Sequence, residues 1–388
     1  MRTRTLRLTP LDAWFFRDGR PYNQGESGQT EVRTLFPPFG PSVVGAIRAA
    51  LARGQGWNGR GVWPESLNPI LGNGFDDLGQ LQFHGPFLVR KGQWLFPVPL
   101  HLLGSAPDND GQAQPGWSPS AFLAPSLSGA VFESDLGPVR FPAPIRSSGQ
   151  RGQLKEPTGL WITAEGYNQI LLGRLPDAGT LFRPDQLWKT ERRVGLARDH
   201  DRRAAEEGKL YSPEYVRLQR GVELALVVEG IPEKWGLPDL IALGGESRMA
   251  HCESQAEEFP LPQAPVDMTR GSNRLVVSLL SPLCLPENSS GRLTPPMPGQ
   301  SFPGLTGSTI VSACVGKPTP IGGWNSQDRE PLPLTPCVPA GSTWFCEADP
   351  TALDSTLALH GRHLGERTQY GFGQIALGSW PQETGDPK

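Results

Sequence analysis

Lysine is scarce in this sequence. Only seven of its 36 basic residues are lysine, and the rest are arginine. Arginine offers a planar fork that binds phosphate bidentately and stacks on rings, where lysine offers a point charge. A high-GC genome accounts for an excess of arginine, glycine and proline together, so the placement of the arginines has to carry any functional argument. Cysteine is also sparse: five residues, scattered, with no C-x-x-C pair. That excludes a zinc ribbon or a disulfide framework. No run of 18 or more uncharged apolar residues exists, which excludes a membrane-spanning helix. The start, Met-Arg-Thr-Arg-Thr, lacks the apolar core of a signal peptide, and the cytoplasm is the expected location. No Gly-Lys-Ser/Thr ending is present, so there is no nucleotide-binding P-loop. The net charge of -3 argues against a uniformly basic nucleic-acid binder.

Glycine and proline are abundant instead, at 47 and 41 residues of 388. Long loops around compact cores follow from that composition. The length suffices for two domains, and 11 tryptophans help to build their cores. The densest glycine cluster is His360 to Gly373, where Gly361, Gly365, Gly371 and Gly373 alternate with Arg362 and Arg367. A strand-like run, Gln374 to Trp380, follows it. One reading is a loop whose backbone amides and arginines meet a phosphate chain. The other is a tight turn ahead of an edge strand.

Upstream, Arg4 to Thr9 alternates as a half-buried strand. Aromatic Trp14, Phe15 and Phe16 then give way to Arg17-Asp18-Gly19-Arg20-Pro21, a turn that exposes two arginines. Residues 23–34 read as polar and mobile. Pro41 opens a helix whose Val43, Val44, Ile47 and Leu51 form one apolar stripe, with Gly54 as its stop. Residues 55–190 predict an irregular insertion with short strands at Gln93 to Val98 and Leu160 to Thr163. From Lys189 to Arg220, nine basic residues, six acidic ones and two tyrosines interleave. Such mixing suits single-stranded RNA, though a solvated face with internal ion pairs gives the same pattern. Gly221 to Glu229 is a strand, and Gly244-Gly245 a turn leading to another at Arg248-Met249-Ala250. Strands follow at Arg274 to Leu280 and Gly341 to Glu347, with a Gly/Pro turn at Gly316 to Asn325.

Several of these stretches occur together in one known order. They are Phe15 to Tyr22, Phe36-Pro37-Pro38, Gly195 to Tyr211, Gly244-Gly245-Glu246, Gly316 to Trp324, Pro339 to Ser342 and the terminal glycine loop. In this the chain resembles the family of subunit 3 of the Cmr-type (type III-B) CRISPR effector, within the RAMP superfamily of tandem ferredoxin-like RNA-binding proteins. The resemblance spans nearly the whole chain except the middle. It implies an α+β fold of two ferredoxin-like (RRM-like, βαββαβ) domains with long irregular loops. These would occupy residues 1–265, with an insertion at about 55–220, and residues 266–388. It implies a non-catalytic role: holding the 5′ handle of crRNA and docking the large polymerase-like subunit and a backbone RAMP subunit. The residues it implies against RNA are Gly361, Arg362, Gly365, Arg367, Gly371 and Gly373, with Arg17, Arg20, Gly244, Gly245 and Arg248. Arg192, Arg193, Arg198, Lys209 and Tyr211 belong to the basic segment that would face RNA or a neighbour.

The chain implies no cofactor, no metal site and no catalytic residue under that reading. A second reading is a metal-independent RAMP endoribonuclease acting on CRISPR repeat RNA. It needs a general base and acid, for which His360 and His363 beside the glycine loop are the candidates, with His200 and His251 near the other segments. A third is an adaptor that touches protein alone.

Overall fold

A computed structural model describes residues 3–17, 31–105, 117–125, 131–134, 137–146, 153–198, 205–263, 273–286, 295–325 and 330–381. The fold is mixed α+β and is dominated by strands. It divides into two compact units that are interleaved in sequence. The first takes Met1–Gly92, Pro184–Phe259 and Pro320–Thr335, the second Gln93–Arg183, Pro260–Thr319 and Pro336–Lys388. The division near residue 265 expected from the sequence does not coincide with these units, because the middle segment and the 320–335 ribbon change sides.

In the first unit, β1 (Arg4–Pro10), α1 (Gly40–Gly54), β2 (Gln82–Arg90), β3 (Val222–Glu229) and β4 (Met249–Gln255) follow one another. The sheet order is β2-β3-β1-β4, every pair antiparallel, with Leu240–Ala242 along the outer edge of β4. Leu6 faces Leu226 across β1 and β3, and Leu88 faces Leu224 across β2 and β3. Helix α1 packs on this sheet and buries Val43, Val44, Ile47 and Leu51, the stripe predicted from spacing. Its left-handed glycine is Gly56, two residues beyond the predicted stop, and Gln55 and Gly56 donate to Ala52 and Arg53 carbonyls. Trp188–Arg192, Gly195–Arg198 and Ala205–Leu218 form a separate antiparallel ladder. The described part of the basic segment is therefore sheet. Of residues 23–34, those before 31 lie outside the described residues. Glu31–Val32 pairs in parallel with Ser212 and Pro213 of the long strand, so that end of the polar stretch is ordered by the ladder.

In the second unit, β5 (Arg274–Leu279), β6 (Ser308–Cys314), β7 (Thr343–Ala348), α2 (Leu353–Leu357) and β8 (Ile375–Ser379) follow in order. The sheet order is β6-β7-β5-β8, again antiparallel throughout. Each unit thus repeats one strand order. In the first the helix lies between the first two strands, in the second between the last two. One face of the second sheet, with Val277, Ile310, Trp344, Cys346, Ile375 and Leu377, is covered by Phe302, Leu305 and Leu364. The other face carries Val276, Phe345 and Trp380 and is covered by Ala124 and Ile145. Those covering residues sit on Ser118–Pro125 and Pro142–Arg146, inside the stretch expected to be an irregular insertion. The middle region instead closes one face of this unit's sheet. The helix Ala164–Leu171, capped by the Thr163 hydroxyl, packs close over Gly378 of β8.

The expected turn at Gly316 to Asn325 is also a strand, Thr319–Asn325, paired with Glu330–Cys337. Gly322 and Gly323 sit inside it because Leu334 and Leu332 occupy the space a Cβ would need.

Candidate nucleic-acid interface

The terminal glycine loop belongs to the second unit. It folds back on itself as a narrow hairpin ahead of β8. Leu364 N–H donates to the Gly373 carbonyl and Ile375 N–H to the Arg362 carbonyl, at 2.9 and 3.0 Å. Gly361 N–H donates to Ile375, Glu366 N–H to Cys284 and Gly373 N–H to Pro282. All four glycines have φ between 71° and 87°, a region that costs an L-residue energy. A Cβ at Gly365 would collide with the Cys284 carbonyl, and one at Gly373 with the Leu364 carbonyl. The glycines thus serve the loop's own closure. The amides of Gly361, Arg362, Leu364, Glu366, Gly371 and Gly373 are committed inside the fold. Arg362 is exposed and Arg367, in left-handed conformation, is half-buried.

The two loop histidines are part of the same framework. His360 Nε2 donates to the Pro262 carbonyl at 2.6 Å, while Nδ1 accepts from Leu377 N–H at 3.1 Å. Burial pushes its pKa down, against a smaller upward pull from the Pro262 bond. Both ring nitrogens are engaged and the ring is held neutral, so His360 has no lone pair to offer a 2′-hydroxyl. His363 Nδ1 donates to the Phe372 carbonyl at 2.9 Å. His251 is exposed on β4, and His200 lies outside the described residues. Among the described residues no group of three or more His, Cys, Asp or Glu could hold a metal ion.

A second cluster lies in the first unit, where β1 ends and the ladder begins. Asp12 accepts from Arg193 and Arg217 at 2.8 Å each and from Arg248 at 3.3 Å. Glu191 accepts from the Nε of Arg193 at 2.8 Å and of Arg217 at 2.9 Å, and again from Arg193 Nη2. The Arg193 bond, then the Arg217 bond, holds the Asp12 carboxyl below the usual carboxylate range. For Glu191 the Arg217 bond leads. The guanidinium carbons of Arg193 and Arg248 stand 4.8 and 4.5 Å from the Tyr215 ring centroid. Gly244 and Gly245 bring the following turn against Phe15, whose carbonyl accepts the Gly245 N–H at 2.8 Å. Phe15 in turn packs against Tyr215.

So Gly244, Gly245, Arg248 and Arg193, named separately from the sequence, lie together in this cluster. The arginine forks, however, are already occupied by Asp12 and Glu191; Glu191, Arg217 and Tyr215 belong to the mixed-charge segment read from the sequence, whose internal ion pairs these are, but neither they nor Asp12 were among its site residues. The only sequence signal for them was the alternation of Glu191, Arg193 and Tyr215, Arg217 on one face of two paired strands. Arg192 is exposed one residue away, on the opposite face and paired in register with Glu214. Arg17 is exposed beside the Thr34 bridge, and Arg20 lies outside the described residues. Arg198, Lys209 and Tyr211 are placed on the ladder by their backbones, Tyr211 opposite Gly195; their side chains lie outside the described set.

With this geometry in hand, the comparison with known families is decisive. The family described as CRISPR-associated protein (Cas_Cmr3) matches residues 6–380. The chain belongs to the Cmr3 family. It is therefore a crRNA-binding subunit of a type III-B CRISPR effector, and the repeat-processing nuclease reading is not favoured. No curated protein matches the chain. Among solved structures it is similar to a chain of the type III-B Cmr-beta complex bound to cognate target RNA. The identity is 15%, the TM-score 0.47, and the match covers 88% of this chain and 86% of that one. It is similar also to a chain of the Csm3-Csm4 subcomplex of the type III-A interference complex, at 11% identity and TM-score 0.39, covering 89% and 93%. A chain of the Csm1-Csm4 cassette with pppApA gives 12% and 0.33, covering 88% and 87%. No helix among the described residues of this Cmr3-family chain is long and apolar enough to cross a membrane.

Proposed function

We propose that this Cmr3-family chain is a non-catalytic cap that holds the repeat-derived 5′ handle of crRNA through the terminal loop. It docks the large polymerase-like subunit on one side and the first backbone RAMP subunit on the other. The carrying observation is the loop itself: its glycines close it on its own backbone, and that closure fixes Arg362 and Arg367 on a rigid hairpin. Pre-positioned guanidinium groups lose little entropy on meeting phosphate oxygens. Arg17 and Arg192, exposed in the first unit, extend the basic surface there. Arg193 and Arg248 act through stacking and charge while Asp12 and Glu191 hold them in place. The shared order β2-β3-β1-β4 and β6-β7-β5-β8 supports two ferredoxin-like units, each with one helix of the full βαββαβ set among the described residues. The absence of chemistry is supported by His360, whose nitrogens are both engaged.

The test is fluorescence anisotropy with labelled crRNA and with a scrambled-handle control, on the reconstituted effector and on the single chain. The double variant Arg362→Ala, Arg367→Ala is expected to bind at least about tenfold more weakly. Its slope of log affinity against log salt should be shallower by about 1.4, the amount for two single-strand phosphate contacts. The RNA should stay intact on a denaturing gel. Unchanged handle affinity in the double variant removes the loop from the interface, and specific cleavage lost in His363→Ala restores the nuclease reading.

A further inference from the structure

Cys284 and Cys337 come from two segments that meet as an antiparallel pair. Leu283 and Val338 exchange both backbone hydrogen bonds, at 2.9 Å each way. The next pair along is Cys284 opposite Cys337, a non-hydrogen-bonded pair, where Cα atoms stand about 4.5 Å apart and side chains lie closest. That spacing falls within the range a disulfide spans, about 4.4–6.8 Å. The two Sγ atoms are 2.7 Å apart, and both residues are buried. The hydrogen bond from Cys337 lowers the Cys284 pKa, with help from the nearby Arg367 guanidinium and against its burial. The same bond raises that of Cys337. Of the two, Cys284 is the more acidic thiol, and the thiolate is the form that oxidants attack.

We propose that Cys284 and Cys337 are an oxidative cross-link site that staples the floor of the terminal glycine loop. A two-electron thiol oxidant joins the sulfurs: both S–H bonds break, one S–S bond forms, and two electrons and two protons pass to the oxidant. With diamide the acceptor is its N=N bond, which becomes a hydrazine. Cys284 lies directly under the loop, since its carbonyl accepts the Glu366 N–H at 2.9 Å and fills the space beside Gly365. The cross-link closes a chain segment of 53 residues and pins that floor to Cys337. The proposal stands on this geometry alone and does not depend on what the loop binds.

The test treats the native full-length chain with diamide, removes the reagent, and counts thiols in denaturant. Three of the five thiols are expected to remain, and a non-reducing digest should contain one peptide joined through Cys284 and Cys337. Cys284→Ser and Cys337→Ser should each keep all of their remaining thiols. The oxidised wild type should unfold about 5 °C above the reduced form. Five thiols remaining, a link through any other cysteine, or a disulfide-linked dimer overturns the proposal. The wild-type digest decides the matter even where a serine variant folds poorly.

Discussion

His101 shows how a single buried side chain makes stability depend on pH. It stacks on Phe122 at 5.4 Å, meets the edge of Phe345 at 5.8 Å, and keeps one bond, Nδ1 to the Thr343 hydroxyl at 3.3 Å. Burial pushes its pKa down from 6.5 to about 3. The folded chain therefore refuses a proton that the unfolded chain accepts. Its contribution is constant above pH 6.5 and falls as the pH drops from 6.5 toward 3, by up to about 1.4 kcal/mol per pH unit. Between pH 7 and pH 5 the loss from this residue is about 2 kcal/mol. In urea titrations at those two pH values, His101→Phe should lose less stability than the wild type by that amount. A variant keeping the full wild-type difference would clear His101 of the effect. From the sequence His101 reads as a surface or a packing histidine alike, and nothing there chooses between the two. Its environment comes from strands more than 200 residues apart. Arg48 makes the same point: off the apolar stripe of α1 by spacing, it is buried and donates to the Leu71, Gly74 and Asp77 carbonyls.

At the scale of elements, alternation and capping carried far. Trp344 and Cys346 do face one core and Phe345 the other, as period-2 spacing requires. Helix α1 was legible from Pro41 and its stripe. Elements rich in glycine were harder, because glycine allows both a turn and a strand, and the choice is made by the facing side chains. Leu332 and Leu334 decide it for Gly322 and Gly323. In the terminal loop the deciding atoms are backbone. Gly373 and Gly92 both have positive φ, 71° and 82°, but nothing lies within 4 Å of a Cβ at Gly92. Gly92→Ala should therefore cost only the conformational penalty, about 1–2 kcal/mol. Gly373→Ala must in addition push the Leu364 carbonyl aside, which disturbs the bond from Leu364 N–H to the Gly373 carbonyl, and it should cost at least about 2 kcal/mol more. Urea midpoints of the two variants measure the difference. Equal costs would mean that the hairpin closure is not what the glycine serves. The candidate site was half legible for a related reason. The sequence names Arg193, Arg248 and the Gly244-Gly245 turn one by one but not their convergence, because the carboxylates that join the arginines, Asp12 and Glu191, lie 179 residues apart in the chain and meet only through the sheet.

At the scale of the whole molecule, two ferredoxin-like units were expected from the resemblance, but the interleaving was not. Sequence reading joins neighbours in the chain, whereas the second unit draws its core from residues 93–183 as well as from 260 onward. The consequence is measurable. Residues 266–388 contain every strand of the second sheet, yet without the middle segment they leave Val276, Phe345 and Trp380 without Ala124 and Ile145. Exposing side chains of that size costs about 1.5–3 kcal/mol each, so the loss is on the order of 5–8 kcal/mol. A domain's whole stability is about 5–15 kcal/mol, and the fragment has little or none left. The separate fragments 1–265 and 266–388 should each show a broad, weakly cooperative urea transition by circular dichroism. Produced together they should co-purify, because the first carries the strands and the helix Ala164–Leu171 that cover the second's sheet. A monomeric 266–388 fragment with a sharp transition would show that the first face of the sheet, closed by Phe302, Leu305 and Leu364, is core enough by itself. The middle segment would then be an attachment to a finished unit rather than part of its core.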